Sequence, residues 1–134
     1  MKTEVLELHT GREPAVIDIT TEVVRFCDDT GDGLLSIFVP HATAGLALIE
    51  VGSGTEKDLL ATLRRLLTET EPWLHRHGSP GHGADHVLPA LISPTLTIPV
   101  IDNRPALGTW QSVVVVDPNR DNLNRQVRLS FLSA

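Results

Sequence analysis

Alternation opens the chain. Across residues 3–10, Leu6 and Leu8 face one way and Val5, Glu7 and His9 the other, as a strand with one buried side requires. Gly11 and Pro14 interrupt it, and residues 15–19 resume as a short second strand. Thr20 or Thr21 stands where it can cap a short helix carrying Val23, Val24, Phe26 and Cys27. Glu22 favours the start of that helix, and Gly31 and Gly33 end it. Residues 34–39 form an apolar run that reads as a buried strand.

Small and polar residues at 40–45 break that run, and residues 46–49 return to apolar character before Glu50, so a polar corner joins two core strands. Thr55 and Asp58 have the spacing of a helix cap, and Leu59, Leu63, Leu66 and Leu67 predict one apolar helical face. Residues 72–85 hold two prolines, three glycines and three histidines, a composition that predicts a surface loop. A short helix is expected from Asp85 or His86 to Ile92, with Pro89 tolerated in its first turn. Strands follow at 96–101, 110–116 and 125–132; in the last, Val127, Leu129 and Phe131 alternate with Gln126, Arg128 and Ser130. About seven strands and two or three helices predict a single α+β domain over residues 1–134, a mostly antiparallel sheet or sandwich with helices packed on it. Trp110 and Cys27 are read as packing residues rather than chemical ones.

Length agrees with one domain, since 134 residues bury one continuous core and not two. The net charge of −6 is spread along the chain and offers no basic patch for a phosphate backbone, so nucleic acid is excluded as an expected partner. A single cysteine forbids an intrachain disulfide and fits a reducing, cytoplasmic setting. With no apolar leader and no run of about 18 apolar residues, neither a signal peptide nor a membrane span is expected.

The chemistry concentrates in histidine. Of six, His75, His77, His82 and His86 fall within one glycine-rich stretch, where imidazole could act as acid, base or metal ligand. His82 and His86 are four apart, yet Gly81 and Gly83 place His82 ahead of the helix rather than on it. The spacing serves a metal site or a hydrogen-bonded loop alike. His41 closes an apolar strand before Ala-Thr-Ala-Gly, where backbone could approach a ligand or the ring could simply bond a neighbouring carbonyl. Glu50 ends a strand in either a buried role needing a partner or a surface one. Arg125 begins the last strand and could hold an anion or pair with Asp117 or Asp121.

With His41-Ala42-Thr43-Ala44, Glu50, Asp58, His75, His86 and Leu107-Gly108-Thr109-Trp110-Gln111 in that order, the chain resembles the secondary thiamine-phosphate synthase family, the YjbQ-like proteins, over nearly its whole length. The resemblance implies a compact α+β sandwich assembled as a homotrimer, with a histidine-containing pocket. It implies a transferase joining a pyrimidine diphosphate to a thiazole phosphate, with a divalent ion, magnesium or zinc, as cofactor. Its site would use His41, Glu50 and His86 in catalysis, Thr43, Gln111 and Arg125 on the substrate, and His41, His75 and His86 on the ion. A non-catalytic module for a small phosphorylated metabolite and a metal-dependent hydrolase are the alternatives. Ala42, Ile49, His82 and Asp117 depart from the family pattern, which has threonine, asparagine, asparagine and glutamate there.

Overall fold

Val113, Val114, Val115 and Val116 are all fully buried, which a strand achieves only where both its faces are covered. The computed structural model, which describes residues 1–118 and 120–134, explains how. In chain order its elements are β1 (Lys2–His9), β2 (Ala15–Asp18), α1 (Thr20–Phe26), β3 (Gly33–Phe38), β4 (Gly45–Ile49) and α2 (Thr55–Leu66). They continue with α3 (His82–Asp85), α4 (Leu88–Leu91), β5 (Thr95–Ile101), β6 (Arg104–Pro105), β7 (Ser112–Asp117) and β8 (Asn124–Ser133). Five strands form one sheet in the order β1-β8-β3-β5-β6, and three form a second in the order β2-β7-β4, with antiparallel pairing.

The valine strand β7 is the middle layer. Val113 and Val115 pack into the core shared with Leu35 and Ile37 of β3, Ile98 of β5 and Val127 and Leu129 of β8. Val114 and Val116 point the other way, onto Leu63 of α2 and Leu88 of α4. The result is the expected α+β sandwich, a five-stranded sheet on a three-stranded one, with helices over the outer face of the latter.

Several local expectations are corrected by this layering. In β3 only Leu35 and Ile37 are buried, while Leu34 and Phe38 are exposed, because none of the described residues covers the outer face of the five-stranded sheet there. Helix α2 begins after Gly54 at φ 99° with no side-chain cap, and the Glu56 carboxylate instead takes the Gly52 N–H. That helix docks through Leu59, Leu63 and Leu67, and Leu66 is left 65% exposed on the opposite side. At the start of α1, Asp18 accepts the Thr20 N–H and hydroxyl, so neither threonine is the cap. Strand β7 starts at Ser112, which leaves Trp110 in a turn and 73% exposed rather than in the core. The helix expected to begin at residue 85 or 86 is two single turns, α3 and α4, and α3 already contains His82. Among the described residues, no helix is long and apolar enough to cross a membrane.

Backbone bonds clamp the α4–β5 connection to β4 of the second sheet and to the residue after β3 of the first. Leu46 N–H donates to Ser93 O and Val39 N–H to Pro94 O, both at 2.8 Å. Gly45 permits this approach, since a Cβ there would lie 2.2 Å from Ile92 O. Gly45→Ala is therefore expected to lower stability by about 1–3 kcal/mol in urea titrations, as overpacking against backbone does. Gly11→Ala, which meets nothing within 4 Å but is strained at φ 74°, supplies the comparison for backbone strain alone.

Candidate functional site: a histidine cavity beside a buried ion pair

Arg125 falls on the inward parity of β8 with Val127, Leu129 and Phe131, and it is 2% exposed. A charge there requires a partner. Asp117, the last residue of β7 and 1% exposed, provides it in a two-pronged pair: Arg125 Nε donates to Oδ2 and Nη2 to Oδ1, each at 2.9 Å. Nη2 also donates to Thr43 Oγ1 at 2.8 Å. The pair joins the five-stranded sheet to the three-stranded one and pins the 39–44 connection against both. Arg125 is thus committed to structure, in the ion pair rather than as a free anion clamp.

His41 is set by the same corner. Strand β3 ends at Phe38, opposite Arg128, so β8 has no β3 partner beyond that point. The His41 ring fills in for the missing strand, its Nε2 accepting the Gln126 N–H at 2.8 Å. Burial, with Arg125 nearby, holds this imidazole below the usual histidine range. A neutral ring with Nε2 as acceptor carries its proton on Nδ1.

Across the cavity stand four more histidines, grouped together. His82 lies in α3 and His86 follows it by one turn, so the two share a face, with Nε2 atoms 2.9 Å apart. Gly83 lacks the Cβ that would sit 2.5 Å from Trp73 Cβ and 2.6 Å from His75 O, so the preceding loop lies directly on α3. This stacks the His75 ring on His86, centroids 3.9 Å apart, and brings His75 Nε2 against His77 Nε2. One ring nitrogen from each of the four lies within 4.8 Å of the other three. Behind them, His82 Nδ1 is 3.1 Å from Asp121 Oδ2, within ion-pair range though off the line of a hydrogen bond, and 3.8 Å from Asp85 Oδ2. Asp121 also accepts the Ser79 N–H, which holds its carboxyl below the usual range. Burial pushes Asp85 up to about 6. Desolvation and the neighbouring imidazoles press both His75 and His86 down, which keeps them neutral and ligand-ready near neutral pH.

His41, Thr43 and Arg125 on one side and His77, His82 and His86 on the other line a cavity of about 320 Å³, completed by Asp121 and Asn122. The structure therefore brings together His41, Thr43, His75, His86 and Arg125 of the sequence candidates. It adds His77, His82 and Asp121. Glu50 and Gln111 do not join them: Glu50 follows Ile49, which pairs with Ser112, whereas Asp117 ends the same β7 about 17 Å away. Glu50 is exposed, 3.5 Å from the Ser53 hydroxyl, and Gln111 folds back to accept the Gly108 N–H. An all-imidazole donor set fits a borderline transition ion and not magnesium, which takes oxygen ligands.

Two outcomes follow from this corner. Arg125→Met strands the Asp117 carboxylate in the core, and urea unfolding should reveal a loss of about 3–5 kcal/mol; a loss under about 1 kcal/mol would mean the pair is dispensable. For His41, the unfolded chain takes up a proton near its ordinary pKa of about 6.5, before the folded chain does. Stability therefore drops as pH falls below that value and is unaffected above it. His41→Gln keeps an acceptor without a titrating ring, so its stability should decline less steeply on the acid side.

Residues 4–134 match the family model described as UPF0047 protein YjbQ-like. The chain is 53% identical over 132 residues to UPF0047 protein Rv2556c of Mycobacterium tuberculosis, covering 98% of each. It is 33% identical over 113 residues to UPF0047 protein YugU of Bacillus subtilis, covering 81% of this chain and 83% of that one. Among solved structures, the hypothetical protein APE1520 from Aeropyrum pernix K1 superposes with a TM-score of 0.90 at 30% identity, each chain fully covered. A family-model match from residue 4 to the end, together with relatives this similar, means that the chain belongs to the YjbQ/UPF0047 family.

Proposed function

We propose that the chain is an enzyme acting on a small phosphorylated metabolite in the histidine cavity, with the thiamine-phosphate synthase type of transfer as its reaction. In that reaction the thiazole nitrogen forms a bond to the methylene carbon of the pyrimidine diphosphate. The carbon–oxygen bond to the diphosphate breaks, and pyrophosphate leaves with the electron pair. The observation that supports this reading is the cavity itself, lined by His41 and Thr43 from one wall and His82 and His86 from the other. It is a wide-mouthed hollow of about 320 Å³, at the lower end of the volumes of small-ligand sites.

Within it, Thr43 accepts from Arg125 and so keeps its own hydroxyl hydrogen for a phosphate oxygen. His41, with Nε2 on Gln126, presents Nδ1–H as a second donor. The buried Arg125–Asp117 pair holds both donors still, which is worth more to a departing anion than mobile groups would be. A divalent ion on His75 and His86 would add electrophilic stabilisation of the leaving pyrophosphate. Glu50 and Gln111 of the same chain are too far away to take part, so any role for them requires a second copy, as in the homotrimer implied by the resemblance. The uncovered outer face of the five-stranded sheet, with Leu34, Phe38 and Leu132 exposed, is apolar enough to bury against one.

Purified protein given both substrates and zinc or magnesium should form the coupled product. His86→Ala is expected to reduce the rate about 100-fold or more. No turnover above that variant would overturn the transferase reading. Diphosphate hydrolysis without coupling would replace it with a hydrolase, and thermal stabilisation by a substrate that is never converted would replace it with a binding module.

A further inference from the structure

We propose that His75, His77, His82 and His86 together form one site for a divalent transition-metal cation of the zinc class. The ion fastens residues 72–81, by tying the two loop imidazoles to the two that follow. The inference goes beyond the transfer reaction and holds whatever metabolite fills the cavity.

The donor set is the first ground. Each neutral imidazole has one unprotonated nitrogen, and one ring nitrogen from each of the four lies within 4.8 Å of the other three, so with those nitrogens unprotonated the rings offer four lone pairs to one point. An ion would meet the lone pairs directly. Around a tetrahedral zinc, four nitrogens at about 2.1 Å stand about 3.4 Å apart. The observed set, with His82 and His86 Nε2 atoms at 2.9 Å and all four within 4.8 Å, needs only small ring movements to reach that arrangement.

The surroundings of His82 are the second. Its Nδ1 is buried and faces Asp121, with Asp85 beyond, while its Nε2 faces the other rings. A carboxylate behind one ring nitrogen and an ion before the other is the arrangement that fixes a ligating imidazole and raises its basicity. Asp121 is accordingly a positioning residue, and it belongs to neither the sequence candidates nor the cavity wall built by the ion pair.

The third ground is the loop. Among the described residues, 72–81 form no helix or strand, and the bonds that tie them down are few and mostly local: Trp73 N–H to Glu71 O, Trp73 Nε1 to Thr68 O and Arg76 Nε to Trp73 O. Among the described residues, Ser79 reaches a distant segment, its N–H donating to Asp121. His75 and His77 are exposed, yet their rings meet each other and the His82 and His86 pair. Two ligands from the loop and two from α3 and its cap would convert those contacts into a crosslink, so ion binding and loop order are one equilibrium.

Full-length protein stripped with chelator should bind one zinc ion per chain by calorimetry and elemental analysis, and no magnesium at millimolar concentration. His77→Ala, at an exposed position that the fold does not need, is expected to weaken zinc at least tenfold. Asp121→Asn should weaken it about 10- to 100-fold. His9→Ala, a lone surface histidine, should leave it unchanged. Hydrogen exchange of amides 74–78 should slow at least tenfold on adding zinc, with the β-sheet amides unaltered. Zinc affinity indifferent to His77→Ala, or binding lost equally in His9→Ala, would overturn the site; unchanged exchange at 74–78 would overturn the fastening. These readouts use no substrate, so a chain that binds zinc but makes no product sinks only the reaction proposed above. One that makes product with magnesium and binds no zinc sinks only this site.

Discussion

The buried ion pair between Arg125 and Asp117 constrains everything around the cavity. Two charges removed from water cost several kcal/mol each, and only a well-aligned pair with its remaining donors satisfied offsets that cost. Here the alignment is two-pronged and Thr43 takes a further donor. Three chain segments far apart in sequence must therefore arrive at fixed positions: the end of β7, the start of β8 and the 39–44 connection. Once Thr43 is fixed, His41, two residues earlier, is within reach of the Gln126 amide that β3 has left uncovered. A polar wall at the rim of an apolar sandwich is thus a by-product of keeping one guanidinium satisfied.

Much of the fold was legible because strand periodicity survives burial. The alternation at 3–10 and 125–132 gave β1 and β8 to within a residue or two, and the valine run gave β7, whose cover on both faces comes from the structure. The same alternation carried a signal that went unused, since Arg125 shares parity with Val127, Leu129 and Phe131 and so had to be buried. What composition hides is which faces are covered. Leu34, Phe38 and Trp110 look like core by type, and only the absence of a layer above them, or of a strand beneath them, leaves them exposed.

The candidate site divides along the same line. The four clustered histidines are close in sequence, which made His75 and His86 site candidates but left His77 and His82 open, and Gly81 and Gly83 misled as helix breakers. Gly81, at φ 82°, is the residue before α3 rather than a bar to it, and Gly83 is there because the loop backbone rests on it. Glu50 and Gln111 lie apart from the cavity within one chain, for the opposite reason. They were grouped with His41 by resemblance, which orders motifs along a chain but says nothing of which end of a strand each occupies. Ile49 pairs with Ser112 and Gly45 with Val116, and that register puts them at opposite ends.

The two walls of the cavity differ in kind, and the difference bears on what a ligand can do there. Thr43, Arg125 and Asp117 are buried within the cooperative core, so their geometry persists as long as the fold does. His75 and His77 sit on an exposed loop with few bonds of its own, at the low end of local stability. Under the proposed function, a small anion entering the cavity would meet preformed donors on one side and an adjustable imidazole wall on the other. Selection by shape and charge must then reside in the rigid wall, because a wall that moves to suit its ligand discriminates less. On the same reading, retention would reside in the loop. An ion among the imidazoles would shift that balance by stiffening the second wall, making the cavity more selective and slower to exchange its contents.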